Sequence, residues 1–192
     1  MSDLHLCEEL ERRGALLSGH FRLSSGRHSG RFVQKFRILE DPSAVEPIAR
    51  ELARRLRRFE PQIVVSAAVG GIVLGYEVAR QLGTLAIFVE KEQGVPTLRR
   101  GFTLRPGQRV AVVEDVMTTG LSVRETIDVV EKAGGKVVAA GVIVRRGAVD
   151  LGRPTEVLLD LPIEDYPAKE CPLCARGEAL QEPGSRFSSA RS

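Results

Sequence analysis

Val110-Ala-Val-Val-Glu114-Asp115-Val116-Met117-Thr118-Thr119-Gly120-Leu121-Ser122 reads as a buried strand, an acidic pair, a loop of small residues and the start of a helix. Four apolar residues in a row suit a strand covered on both faces, and Arg124-Glu-Thr-Ile127-Asp-Val-Val130 beyond the loop has the apolar spacing of a helix. The loop therefore sits at the carboxyl end of a strand. Thr118, Thr119, Gly120 and Ser122 offer hydroxyls and unpaired backbone N–H groups to a phosphate at a helix N-terminus, where the dipole favours negative charge. Glu114 and Asp115 cannot serve that phosphate. They are placed to accept hydrogen bonds from neutral donors on the same ligand, such as two vicinal ribose hydroxyls. A phosphorylated ribose has those two ends.

Working outward, strand-like and helix-like stretches alternate. Asp41-Pro42-Ser43 starts a helix whose apolar positions Val45, Ile48, Ala49, Leu52, Leu56 and Phe59 keep helical spacing. Ile63 to Ser66 reads as a strand, Ala67 to Gly71 as a loop, Ile72 to about Leu82 as a helix, and Ala86 to Val89 as a second strand. Lys136 to Val144 and Thr155 to Leu161 add two more. Repeated strand–helix order implies a parallel, doubly wound sheet with helices on both faces. Ligands of such sheets bind outside the carboxyl ends of the strands, where the loops after Ser66, Val89 and Val113 converge. Glu90 to Phe102, polar and broken by Gly94, Pro96 and Gly101, reads as a mobile excursion or hairpin. At the front, residues 3 to 17 suggest a short amphipathic helix using Leu4, Leu6, Leu10 and Leu16 or Leu17, and Gly19 to Phe36 a small antiparallel pair around a Ser/Gly turn. His20 and His28 are read as ordinary turn residues. The stretch from Gly177 to Ser192 has little to bury and reads as a disordered tail.

Composition narrows the class. A chain of 192 residues, 43% hydrophobic and 28% charged, is long enough for one domain with a sizeable core. No Trp and only 5% aromatics argue against a stacking platform for single-stranded nucleic acid. The net charge of +3 suits polyanionic ligands but decides nothing, because Arg54, Arg55, Arg57 and Arg58 avoid the apolar stripe of their helix and read as a solvated face. No nucleic-acid or membrane partner is expected. No run approaches the roughly 18 apolar residues of a membrane span, and Met1 to Cys7 lacks a signal-peptide pattern, so a cytoplasmic location is expected. Three cysteines, an odd number, fit reduced thiols better than a disulfide framework. Cys171-Pro-Leu-Cys174 supplies half of a tetrahedral zinc site, but its other half, from Cys7 or a second copy of the chain, is not visible in the sequence. Unligated thiols in a C-terminal turn are the leading reading.

The Val110–Ser122 arrangement resembles the signature for 5-phosphoribosyl-1-pyrophosphate (PRPP) of the type I phosphoribosyltransferases, with Leu121 standing where many members have a small residue. Neither a G-x-G-x-x-G fingerprint nor a Walker A sequence is present to support another nucleotide fold. The resemblance spans about Gly19 to Leu161. It implies a small N-terminal hood over residues 1–40, a PRPP-binding α/β core over 41–170 and a Cys-containing turn and tail over 171–192, all one domain. It also implies displacement of pyrophosphate at the ribose anomeric carbon, with Mg²⁺ carried by the substrate and no direct protein ligand. Lys91, Glu114 and Asp115 are then the catalytic candidates, and Val69, Gly70, Lys91 and Glu114 to Ser122 the PRPP contacts.

Within that family, Phe21 to Ser29 followed by Phe32 resembles the N-terminal segment of the orotate phosphoribosyltransferases, where Ser25, Gly26 and Phe32 would help form the hood over the base. Arg146 matches that group's orotate-binding arginine and Thr118 another orotate contact. A planar guanidinium can clasp a carboxylate through two parallel hydrogen bonds, which lysine cannot reproduce. Members of the group carry lysines where Ser24 and Gly70 stand here, and more cations in the mobile loop. Lys35, Arg37, Arg99 and Arg100 are the candidate substitutes. The mobile loop reaches the neighbouring subunit in that family, which implies a homodimer with shared active sites. Two alternatives remain open: a purine-base enzyme, which has no use for Arg146 as a clasp, and a non-catalytic PRPP-sensing regulator.

Overall fold

The computed structural model describes residues 3–23 and 25–183. Helix α1 (Asp3–Arg12) stops well short of Leu17. Gly14, at φ 67°, ends it: the N–H groups of Gly14 and Ala15 donate to the carbonyls of Glu11 and Leu10 at 3.0 and 2.8 Å, the bond pair that closes a helix on a left-handed residue. Leu16 and Leu17 consequently belong to strand β1 (Leu16–Arg22), which pairs antiparallel with β2 (His28–Val33), Leu16 opposite Val33 and Arg22 opposite His28.

A single turn, α2 (Phe36–Leu39), leads into α3 (Pro42–Leu56). Asp41 caps α3, its carboxylate accepting from the Ser43 N–H at 2.9 Å, and Pro42 fills the first turn where no donor is missed. The helix buries Val45, Ile48, Ala49, Leu52 and Leu56 as one stripe. Its arginines are committed elsewhere: Arg54 and Arg55 to Glu51, Arg58 to Glu156, and Arg57 to the Gln81 carbonyl. They form a paired, solvated face.

Strand β3 (Ile63–Ala67), helix α4 (Gly70–Leu82) and strand β4 (Leu85–Glu92) form the first crossover unit. The excursion after β4 is a hairpin, with β5 (Val95–Leu98) antiparallel to β4 and Lys91 opposite Pro96. A proline suits this edge because it has no N–H to leave unpaired. Strand β6 (Arg109–Met117), helix α5 (Leu121–Lys132), strand β7 (Lys136–Arg145) and strand β8 (Thr155–Asp160) complete a six-stranded sheet of order β5-β4-β3-β6-β7-β8, parallel except for β5.

The uninterrupted apolar run of β6 follows from burial on both faces. Ala111 and Val113 point into a core with Leu52, Leu56, Leu74 and Val78 of α3 and α4. Val110 and Val112 point the other way, onto Val123, Ile127 and Val130 of α5. Each such side chain is stabilised by roughly 1.5–3 kcal/mol through burial, which leaves no solvated face on which alternation could appear. Chain order reverses between β3 and β6: β4 lies on one side of β3 and β6 on the other. The loops that follow these two strands lead to α4 and α5 on opposite faces and open a crevice between them.

Residues 165–166 form a last short strand, β9 (Asp165–Tyr166), which pairs with β2 in a three-stranded sheet, β1-β2-β9, separate from the core sheet. His20 and His28 lie in β1 and β2 and are buried, 2% and 6% exposed, which corrects their reading as turn residues. After β9, a single turn α6 (Pro172–Ala175) carries Cys174, with Cys171 immediately before it as the N-cap. The stretch read as a tail is tied down as far as Gln181, whose N–H donates to the His20 carbonyl at 2.8 Å and whose carbonyl accepts from the Arg22 N–H at 2.9 Å. From residue 184 onward that reading lies outside the described residues.

Candidate active site

β6 continues through the acidic pair to Met117 instead of ending before it. Glu114 pairs with Val142 of β7, so both acids are held by the strand ladder. They are buried, Glu114 to 7% and Asp115 to 2% exposure. Lys35, in the segment joining the hood sheet to α2, brings its Nζ to 3.0 Å from Oδ1 and 2.9 Å from Oδ2 of Asp115. Asp115 Oδ1 also accepts from the Val116 N–H at 2.6 Å, whereas Oδ2 has, among the described residues, only the ionic contact and no aligned donor. Glu114 Oε1 accepts from the Asp115 N–H at 3.1 Å. Burial, reinforced by the charge of Asp115 and partly offset by Lys35, pushes the Glu114 carboxyl up to about 8. Near neutral pH the Glu114 carboxyl therefore leans towards its protonated form.

The loop between β3 and α4 lies directly on this cluster. A Cβ at Gly70 would come within 2.2 Å of Asp115 Oδ2 and 2.7 Å of Lys35 Nζ, and one at Gly71 within 3.5 Å of Glu114 Oε1. Position 70 thus has no room for a side chain, and the place beside Asp115 is filled by a lysine from a different part of the chain. Val69 is 73% exposed above it, and the Ala68–Val69 peptide is cis.

On the other side of the crevice, Thr118 and Thr119 are exposed and Gly120, at φ 77°, starts α5. A Cβ at Gly120 would meet Val149 Cγ1 at 2.6 Å, so both the backbone angle and the space demand glycine. The Thr119 hydroxyl lies 3.4 Å from the Leu121 N–H, and the Leu121 side chain is 60% exposed. The first turn of α5 presents its N–H groups here, the geometry that suits a phosphate.

The remaining cations are spread out. Lys91 of β4 reaches across to Glu125 of α5 at 3.0 Å. Arg99 pairs with Glu92 at 3.2 Å, Arg100 with Glu90 at 2.8 Å, and Arg37 with Glu40 at 3.0 Å. Of the proposed substitutes, only Lys35 touches the acidic pair.

Arg146 follows β7, with its N–H bound to the Met117 carbonyl at 2.9 Å, which sets it beside the end of β6. Arg146 is half-buried, its Nε is buried with no hydrogen-bond partner among the described residues, and burial lowers its pKa while Asp165 of the hood sheet acts in the opposite sense. A buried guanidinium N–H without a partner is costly unless a ligand completes it. Ser25 and Gly26 are exposed at the tip of the β1–β2 hairpin, and Phe32 packs on Phe21 with ring centroids 5.8 Å apart. Ser24 lies outside the described residues. The Lys35–Asp115 contact joins residues 80 apart in sequence, and no spacing rule could have found it.

An acidic pair inside the switch-point strand, a phosphate-competent helix start beside it and a glycine loop pressed onto the acids define a ribose-phosphate-binding domain. The family model for the phosphoribosyl transferase domain matches residues 37–151, and the chain belongs to that family. Among its relatives, the orotate phosphoribosyltransferase of Pelotomaculum thermopropionicum is 52% identical over 92% of this chain and 94% of its own length. That of Thermotoga maritima is 48% identical over 93% and 97%. The crystal structure of orotate phosphoribosyltransferase from Aeropyrum pernix superposes with a TM-score of 0.66 at 30% identity, covering 80% of this chain and 92% of that one. An adenine phosphoribosyltransferase from Thermoanaerobacter pseudethanolicus, at 21% identity, covers 67% of this chain and 87% of its own with a TM-score of 0.60, a likeness of fold alone.

Proposed function

We infer that the chain transfers the 5-phosphoribosyl group from PRPP to orotate, giving orotidine 5′-phosphate and pyrophosphate in pyrimidine biosynthesis. Relatives of about half identity over nearly the whole chain support this reading, and the observation that carries the choice of base is Arg146. A buried guanidinium Nε without a partner fits an anionic base, and neither adenine nor guanine has a carboxylate to offer it.

In the mechanism the residues do positioning and electrostatic work, with no covalent nucleophile. The N–H groups and hydroxyls from Thr118 to Ser122 take the 5-phosphate. Glu114 and Asp115, fixed in β6, accept hydrogen bonds from the vicinal ribose hydroxyls and steady the electron-poor ring as the anomeric bond breaks. Val69 and Gly70 lie against the leaving pyrophosphate, with Lys35 nearest and Lys91, Arg99 and Arg100 reaching it from the hairpin. Arg146 and Thr118 hold the base under Ser25, Gly26 and Phe32. Mg²⁺ would supply charge neutralisation on the pyrophosphate. Asp115 is already paired with Lys35, so the chain fits a cation carried by the substrate better than one held by protein carboxylates.

Two further features belong to this proposal. The chain works as a homodimer in which the β4–β5 hairpin serves the neighbouring site, and it resides in the cytoplasm, which three free thiols suit. No helix among the described residues is long and apolar enough to cross a membrane. The deciding experiment follows orotate disappearance with purified protein, PRPP and Mg²⁺, alongside adenine, guanine, hypoxanthine and uracil. Orotate consumption that needs both PRPP and Mg²⁺ is expected. Turnover of a purine instead, or PRPP binding without turnover of any base, would overturn the assignment.

A further inference from the structure

The hood sheet gathers four potential metal ligands that the transfer reaction does not use. His20 comes from β1, His28 from β2, and Cys171 and Cys174 from the start of α6, and their ligand atoms all lie within 4.8 Å of one another. His20 Nε2 is 3.0 Å from His28 Nδ1 and 3.6 Å from each cysteine Sγ, and Cys174 Sγ is 3.3 Å from His28 Nδ1. A tetrahedral zinc ion with ordinary bond lengths needs about 3.4 Å between two nitrogens and about 3.6 Å between nitrogen and sulfur. Four of the six distances among these atoms stand close to those edges, and the other two do not exceed 4.8 Å.

We propose that His20 Nε2, His28 Nδ1, Cys171 Sγ and Cys174 Sγ bind one Zn²⁺ that fastens the C-terminal segment to the hood. The chemistry of the donor set agrees with the spacing. Two neutral imidazoles and two thiolates match the preference of zinc among divalent ions, and two thiolate charges cancel that of the ion, which allows the site to be buried. His20 Nδ1 lies 2.8 Å from the Glu178 carbonyl, the outer hydrogen bond that leaves Nε2 unprotonated and aims it at a metal. A CxxC pair at the start of a short helix brings both thiols to one point, which supplies the half-site visible in the sequence. The other half comes from two histidines eight residues apart in sequence, on the two paired strands of one hairpin, not from Cys7 or from a second copy of the chain.

Four protein ligands leave no open position, so the role is structural. The site explains how a single-turn helix and the strand-like residues up to Gln181 are held against β1 by so little apolar surface. It stands whether or not orotate is the base transferred.

The test is the metal content of the full-length protein purified without chelator. One zinc per chain is expected, released by a mercurial in step with titration of two of the three thiols. Cys171→Ser/Cys174→Ser should lose the zinc, Cys7→Ser should keep it, and Co²⁺ in place of zinc should give the visible bands of a tetrahedral ion with thiolate charge transfer. Protein as purified that holds no zinc and reacts freely at all three thiols would overturn the proposal. So would a disulfide between Cys171 and Cys174, iron in place of zinc, or zinc kept at full stoichiometry by the double variant. Zinc content and thiol titration of the unsubstituted protein decide between these outcomes even if the variants do not fold.

Discussion

Replacing Lys35 by methionine isolates the ammonium, because methionine keeps most of the apolar stem that packs beneath it. Asp115 is 2% exposed and Lys35 Nζ, 2.9 and 3.0 Å away, is its sole cationic partner among the described residues. Removing one member of a buried ion pair costs about 3–5 kcal/mol. The Lys35 side chain is 35% exposed and Asp115 keeps the Val116 N–H, so the expected loss is lower, about 2–3 kcal/mol. For a chain of this length that is a fall in Tm of roughly 5–10 °C. Catalysis should suffer as well: removing one preorganised charge-stabilising group costs about 10²–10³ in rate, here read as kcat/KM for PRPP. The assay is a double-mutant cycle with Asp115→Asn. An asparagine needs no cation, so Lys35→Met in that background should cost under about 1 kcal/mol, leaving a coupling of about 2 kcal/mol. A Tm unchanged in the single variant together with zero coupling would refute the reasoning.

Glu114, pushed up to about 8 by burial and by Asp115, should make PRPP binding depend on pH. Its raised pKa contributes stability that is present at pH below the ordinary carboxylate range and lost as pH rises through about 8. Ribose hydroxyls donating to the ionised carboxylate reverse that preference, so PRPP binding should release a proton near neutrality and tighten up to about tenfold per pH unit until it levels above 8; an identical pH slope in Glu114→Gln would show that another group is responsible. Arg146→Lys should raise KM for orotate by about tenfold or more, the loss of one of two charge-assisted bonds, with KM for PRPP nearly constant; equal changes in both would remove the clasp. Alanine at Arg99 and Arg100 together should lower turnover without lowering Tm by more than a few degrees, since both pairs are exposed; unchanged turnover would strike them from the pyrophosphate site. Gly120→Ala, against Val149 and at a positive φ, should destabilise by about 1–3 kcal/mol and weaken PRPP binding, and full affinity in isothermal titration would show that the loop does not need its present shape.

The alternation of strands and helices was legible because β6 is apolar on both faces and because Asp41 and Gly120 mark helix starts by their own chemistry. The end of α1 was legible in principle, since Gly14 supplies the left-handed residue, but Leu16 and Leu17 carry on the apolar pattern into a strand and hide the break. The acids looked like a turn after the strand because charge usually lies outside a sheet. Here Lys35 and a raised pKa let them remain inside it. Long-range pairings left no trace. Lys35 beside Asp115, and two histidines of one hairpin facing a CxxC pair far along the chain, depend on the sheet order and on no local spacing.

The hairpin beyond β4 carries its cations already partnered, Lys91 with Glu125, Arg99 with Glu92 and Arg100 with Glu90. An unloaded hairpin of this kind shows passing anions little net field, unlike a bare basic loop. Each pair is solvent-exposed and worth about 0–1 kcal/mol, so a densely charged pyrophosphate can take over all three cations at small cost. The hairpin can therefore trade these carboxylates, two of its own and one from α5, for a diphosphate, an exchange of partners that weaker anions cannot force.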